Sequence, residues 1–76
     1  MFSRELFASR LKELRLTRGD TQVSLGAAVG LAKQAINDIE HFRRTTTIEK
    51  ICEIADYFDV SIDYLVGRTD NPGRLH

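Results

Sequence analysis

Residues 21–40, TQVSLGAAVGLAKQAINDIE (Thr21–Glu40), hold two short helical patterns split by a glycine. Thr21 is of the type that caps a helix start with its side-chain oxygen, and Gln22 opens that helix. Leu25 and Val29, four apart, fall on one of its faces. Gly30 follows, and glycine takes positive φ without a Cβ penalty, so the first helix is expected to end there in a sharp turn. The second pattern points Ile36 and Ile39 inward and Lys33, Gln34, Asn37 and Asp38 outward. Gly26 sits where the two helices would cross closely, so a side chain larger than methyl is expected to push them apart.

The flanks extend this pattern on both sides. Upstream, Ser3 can cap a helix running from Ser3 or Arg4 to Arg18, with Phe7, Leu11 and Leu14 as its i, i+4, i+7 stripe. Glu5 near its start and Arg15 and Arg18 near its end suit the helix dipole. Gly19-Asp20 ends it. Downstream, HFRRTTT (41–47) is a polar loop, and Thr46 with Glu49 has the spacing of a capping box that starts a fourth helix. Ile48, Ile51, Cys52, Ala55 and Phe58 are expected to be its apolar face. Asp59 ends it, and Ser61 caps a short fifth helix with Ile62, Leu65 and Val66 apolar and Asp63 in its first turn. Gly67 stops that helix, and residues 68–76 read as a flexible polar tail. The expected architecture is all-α: a compact five-helix domain over residues 1–67.

Two helices joined by a tight glycine turn form a helix-turn-helix, whose second helix enters the DNA major groove. Gln22, Gly26, Gly30, Ile36 and Ile39 stand at the spacing of the lambda-repressor-like, Cro-type (Xre-like) helix-turn-helix family, which this chain resembles. The likeness continues in RLKELRLTRGDTQ (Arg10–Gln22) and TTIEKICEIADYFDVSIDYLVG (Thr46–Gly67), and so covers roughly residues 4–67. It departs at Asp20, where the family usually has an apolar residue, and in the loop after the third helix. There the family often has an Asn-Gly turn and a proline. The Asp20 departure is expected to thin the packing of its turn.

The resemblance implies a sequence-specific regulator of transcription that binds double-stranded DNA, a repressor acting as a homodimer. Its reading helix would span about residues 32–40. Lys33, Gln34, Asn37 and Asp38 occupy the family's base-contacting positions. A Gln amide pairs with adenine N6/N7 and a Lys ammonium donates to guanine O6/N7. Asp38 is open between accepting from cytosine N4 and pairing with Lys33 or an arginine. Gln22 is implied to bond the DNA backbone at its helix start, with Thr21 and Ser24 as lesser partners. Arg43 and Arg44 are assigned phosphate or minor-groove contact, and Arg10 matches a position near the backbone. Arg15 and Glu40 match a partly buried ion pair that orients the reading helix. The region of Ile62 to Val66 is the expected dimer surface.

Seventy-six residues at 42% apolar suffice for one core. A single cysteine makes no internal disulfide and fits a reducing cytosol. MFSRELF lacks an apolar leader core, and the longest apolar run, LGAAVGLA, is too short to span a bilayer, so a cytoplasmic protein without a membrane partner is expected. The net charge is zero, yet residues 1–44 carry eight Lys/Arg against five Asp/Glu, net +3. Residues 45–76 carry three against six, net −3. That asymmetry puts the positive half at the reading head, although chance clustering gives the same pattern. Cys52 lies on an apolar stripe and reads as core. His41 and His76 stand far apart with no ligand cluster, and His41 suits a helix C-terminus. No phosphate loop or catalytic triad pattern is present, so no enzyme, cofactor, metal or small-molecule ligand is expected. Tyr57, Tyr64 and Phe42 fit a partner surface or the edge of the core equally. A rival function, an antitoxin or protein-interaction module on the same fold, is motivated by the zero net charge and by Asp38 on the reading face.

Overall fold

Five stop-and-start signals divide the chain into its helices in a computed structural model that describes residues 2–73. The helices are α1 (Arg4–Arg18), α2 (Gln22–Val29), α3 (Lys33–Glu40), α4 (Ile48–Phe58) and α5 (Ile62–Leu65). Side-chain oxygens cap four of the five starts, each satisfying an N–H that the helix leaves free. Ser3 accepts from Leu6 N–H at 3.2 Å, and Ser61 accepts from Tyr64 N–H at 3.0 Å. At α2 the cap is reciprocal: Thr21 Oγ1 accepts from Ser24 N–H at 3.0 Å, and Ser24 Oγ accepts from Thr21 N–H at 2.9 Å. The fourth start differs from the sequence expectation by one residue. Thr47, not Thr46, caps α4 by accepting from Lys50 N–H at 3.2 Å. Three consecutive threonines offer the same oxygen, and the position of Ile51 against the core selects among them.

One core joins all five helices. Phe7, Leu11, Leu25, Ile36, Ile39, Ile54 and Leu65 are fully buried, with Val29, Ile51, Ala55, Val60 and Val66 around them. The inward faces of α1, α2 and α3 are those the spacing predicts. The face of α4 is turned from the expected one. Ile54 is fully buried and Cys52 only half-buried, while Ile48 is 62% exposed. Ile48 begins α4 beyond the edge of the core, and Ile51, Ile54, Ala55 and Phe58 make a continuous i, i+3, i+4, i+7 stripe.

Two carbonyls of the segment after α5 are hydrogen-bonded back to the helices. Pro72 O accepts from Ser61 N–H at 3.1 Å, and Thr69 O accepts from Arg10 at 2.8 Å. The end of the expected tail, including Arg74 and His76, lies outside the described residues. Among the described residues no helix is long and apolar enough to cross a membrane.

Candidate nucleic-acid interface

The geometry of α3 begins at two glycines. Gly30 ends α2 at φ 73° and gives its N–H to Gly26 O. Leu31 N–H also bonds Gly26 O, at 2.8 Å. A Cβ on Gly26 would stand 2.2 Å from Leu31 O. The sequence expectation allowed a methyl here, but even a methyl does not fit, because the neighbour is the carbonyl of the turn itself. Lys50 closes the same turn from α4 by donating Nζ–H to Val29 O at 2.9 Å. The bend between α2 and α3 is thereby set by backbone contact.

Beneath α3 lies a buried ion pair. Arg15 Nε donates to Glu40 Oε2 at 2.7 Å and Nη2 donates to Oε1 at 3.1 Å, while Nη1 donates to Asp20 O at 3.1 Å. The Glu40 hydrogen bond raises the Arg15 pKa still further above its ordinary value, against the opposing effect of burial. The two-point fork fixes direction as well as distance, so α3 is held to α1 at its last residue. Gln22 extends this network to the surface. Its Nε2 donates to Glu40 Oε1 at 3.2 Å, and its Oε1 accepts from Asn37 Nδ2 at 3.5 Å. Gln22 and Asn37, named separately from the sequence, thus meet, and both are half-buried.

Lys33 and Gln34 are exposed on the first turn of α3. Ala32 precedes them and offers no side-chain cap, so the first amides of α3 stay open. Gln34 Nε2 donates to Asp38 Oδ1 at 2.9 Å, and Arg43 Nη1 stands 3.6 Å from that oxygen. Asp38 thus stands between a Gln34 amide and the Arg43 guanidinium. Arg43 and Arg44 are exposed beyond the helix end, Arg44 donating to Thr45 O at 3.3 Å. Thr21 is exposed, with its Oγ1 accepting in the cap.

Arg10 does not join this face. Its guanidinium donates to the carbonyls of Tyr64 and Thr69 and to Asp70 Oδ1, and it lies 4.2 Å over the Tyr64 ring. Its side chain is only 11% exposed. A cation so enclosed is an internal strap between α1, α5 and the following segment. The dimer-surface expectation narrows as well. Leu65 and Val66 are buried within the chain, leaving Ile62, 38% exposed, as the exposed large apolar side chain of that region.

Asp20, one of the two departures from the family pattern, has its partners in the fold. Its carboxylate accepts from Tyr57 Oη–H at 2.8 Å and from Ser24 Oγ–H at 3.0 Å, with Arg18 Nε at 3.7 Å. Arg18 lies 4.2 Å over the Tyr57 ring and donates to Tyr57 O at 3.0 Å. The hydrogen bond to the Asp20 carboxylate raises the Tyr57 pKa, with burial second. The turn is therefore clamped to α4 by polar contacts where thinner packing was expected.

The helix-turn-helix family profile matches residues 11–65. The uncharacterized HTH-type transcriptional regulator YobD of Bacillus subtilis is 31% identical over 67 residues, covering 88% of this chain and 60% of that protein. The HTH-type transcriptional regulator PrpR of Mycobacterium tuberculosis is 34% identical over 74 residues, covering 97% of this chain and 15% of its own. The chain therefore spans less than two thirds of either relative. Among solved structures, the P22 c2 repressor in complex with a synthetic operator superposes with a TM-score of 0.79 at 25% identity, covering 84% of this chain and 97% of that one. The restriction-modification controller protein C.AhdI of Aeromonas hydrophila gives 0.74 at 27% identity, covering 82% and 94%. The family profile begins within α1 and ends at the last residue of α5, so it takes in most of the core and not the two-helix unit alone. This chain belongs to the helix-turn-helix family, in its lambda-repressor-like form.

Proposed function

We propose that the chain is a sequence-specific DNA-binding regulator of transcription, a repressor, which reads the major groove with α3. The observation that carries this reading is the exposed pair Lys33 and Gln34, presented on a helix whose far end is locked by the buried Arg15–Glu40 fork. Base readout needs amide and ammonium groups that are accessible yet fixed in direction, and this arrangement supplies both. Lys33, Gln34 and Asn37 face the bases. Gln22 keeps one N–H beyond its bond to Glu40 for a phosphate, and Thr21, Arg43 and Arg44 flank it. Two copies would sit on half-sites about 34–36 Å apart, meeting through the α5 side at Ile62, which leaves α3 free.

Selection from random-sequence duplexes at two salt concentrations tests the reading. A preferred palindromic site whose affinity falls steeply with salt supports it. No duplex binding at low salt would overturn it in favour of the protein-interaction module.

A further inference from the structure

Asp38 puts a negative charge on the face that would meet phosphates, where a cation would serve better. Its surroundings give that charge a use. Oδ1 accepts from Gln34 Nε2 at 2.9 Å and has Arg43 Nη1 at 3.6 Å. Its backbone carbonyl accepts from Arg43 N–H at 2.8 Å, so the pair is anchored twice. The Asp38 side chain is 23% exposed against 63% for Arg43.

An ionised carboxylate accepts hydrogen bonds and donates none. The Gln34 amide must then turn its nitrogen, not its oxygen, toward Asp38, and one of its two N–H donors is used. One acceptor, Oε1, and one donor remain for an outside partner. Adenine offers one donor (N6–H) and one acceptor (N7) in the major groove, whereas guanine offers two acceptors, O6 and N7. The remaining groups complement adenine. Against guanine, Oε1 would face O6 lone pair to lone pair, and the second donor that could relieve this is held by Asp38. An unrestrained amide can make the same adenine pairing but can also turn its NH2 donors toward guanine acceptors.

We infer that Asp38 is a positioning residue that sets specificity: it holds the Gln34 amide in the orientation that takes adenine and refuses guanine, while Arg43 neutralises its charge. This rests on the proposed base reading by Gln34. Asp38 acts through Gln34 rather than on a base of its own.

The test uses the site selected by the unaltered protein and the base pair at which Gln34→Ala erases preference. Affinities for adenine and guanine at that pair are compared for the unaltered protein and Asp38→Ala. Asp38→Ala is expected to reduce the adenine preference there by about fivefold or more, the order of one good bidentate contact. Other positions should stay unchanged, and affinity for random duplex should not fall, since a negative charge has gone. An unchanged preference at that pair overturns the inference while leaving the base reading by Gln34 intact. A change confined to a different pair also overturns it, because Asp38 would then touch a base itself. If Gln34→Ala erases no preference anywhere, the reading by Gln34 fails and the inference falls with it.

Discussion

Arg15 and Glu40 meet in a two-point contact, Nε to Oε2 at 2.7 Å and Nη2 to Oε1 at 3.1 Å, with both side chains removed from water. Removing one member leaves the other charged and enclosed. Glu40→Ala is therefore expected to cost about 3–5 kcal/mol in urea unfolding. Arg15→Met with Glu40→Leu should cost far less, since no orphaned charge remains. A Glu40→Ala loss below about 1 kcal/mol, the range of exposed pairs, would show that the contact is not insulated from solvent.

Gly26 tests the turn in isolation from charge. A methyl placed there would meet Leu31 O at 2.2 Å, and the obstacle is backbone that cannot swing aside. Gly26→Ala should destabilise by about 1–3 kcal/mol despite the better helix propensity of alanine. A gain in thermal midpoint would contradict the close approach.

Phe42 occupies the left-handed region at φ 66° while 52% exposed. It stands in the loop after α3, next to the helix end at His41. The left-handed backbone costs about 1–2 kcal/mol with a Cβ present, and glycine returns about 0.5–1 kcal/mol of that through unfolded-state entropy. Phe42→Gly is expected to stabilise by roughly 0.5–1 kcal/mol. Chemical denaturation decides it, and a clear loss would mean that the Phe42 ring packs more than its exposure indicates.

Tyr57 gives a pH signature. Its pKa is raised by donating to the Asp20 carboxylate, so the contribution is complete below the ordinary tyrosine value of about 10. It is lost as pH rises through the higher folded value. Tyr57→Phe should lower the melting temperature at pH 7, and the gap from the unaltered protein should close in alkaline solution. A gap that holds constant between pH 7 and 11 would exclude the Asp20 bond as its source.

Local patterns carried most of the fold. Ser3, Thr21, Gly30 and Ser61 mark helix limits by chemistry acting over three or four residues, which a linear sequence displays directly. Apolar spacing likewise placed Leu11, Leu25, Ile36 and Ile39 inside. What escaped depends on which element lies opposite. Thr46 and Thr47 are equal as caps until α4 is docked, and Ile48 and Ile54 compete for one face until its edge is known. Arg10 is cationic in any reading. Only the return of residues 69 and 70 beside it shows that its charge is spent internally. The Asp20–Tyr57 bond spans 37 positions and has no local signature. The Arg15–Glu40 pair was legible only because the resemblance supplied the partner.

Arg43, 63% exposed beyond α3, is assigned to phosphates, and Arg43→Ala should weaken all duplexes alike. The logarithmic salt slope should become shallower by about 0.9. A loss restricted to the preferred site would place Arg43 at a base instead.

The most direct measurement replaces adenine by 7-deazaadenine at the base pair assigned to Gln34, which removes the major-groove N7 acceptor and leaves pairing and minor groove unaltered. The expected result is a loss of about fivefold or more for the unaltered protein and none for Gln34→Ala. Equal losses in both proteins, or no loss in either, would contradict the reading of that adenine by Gln34.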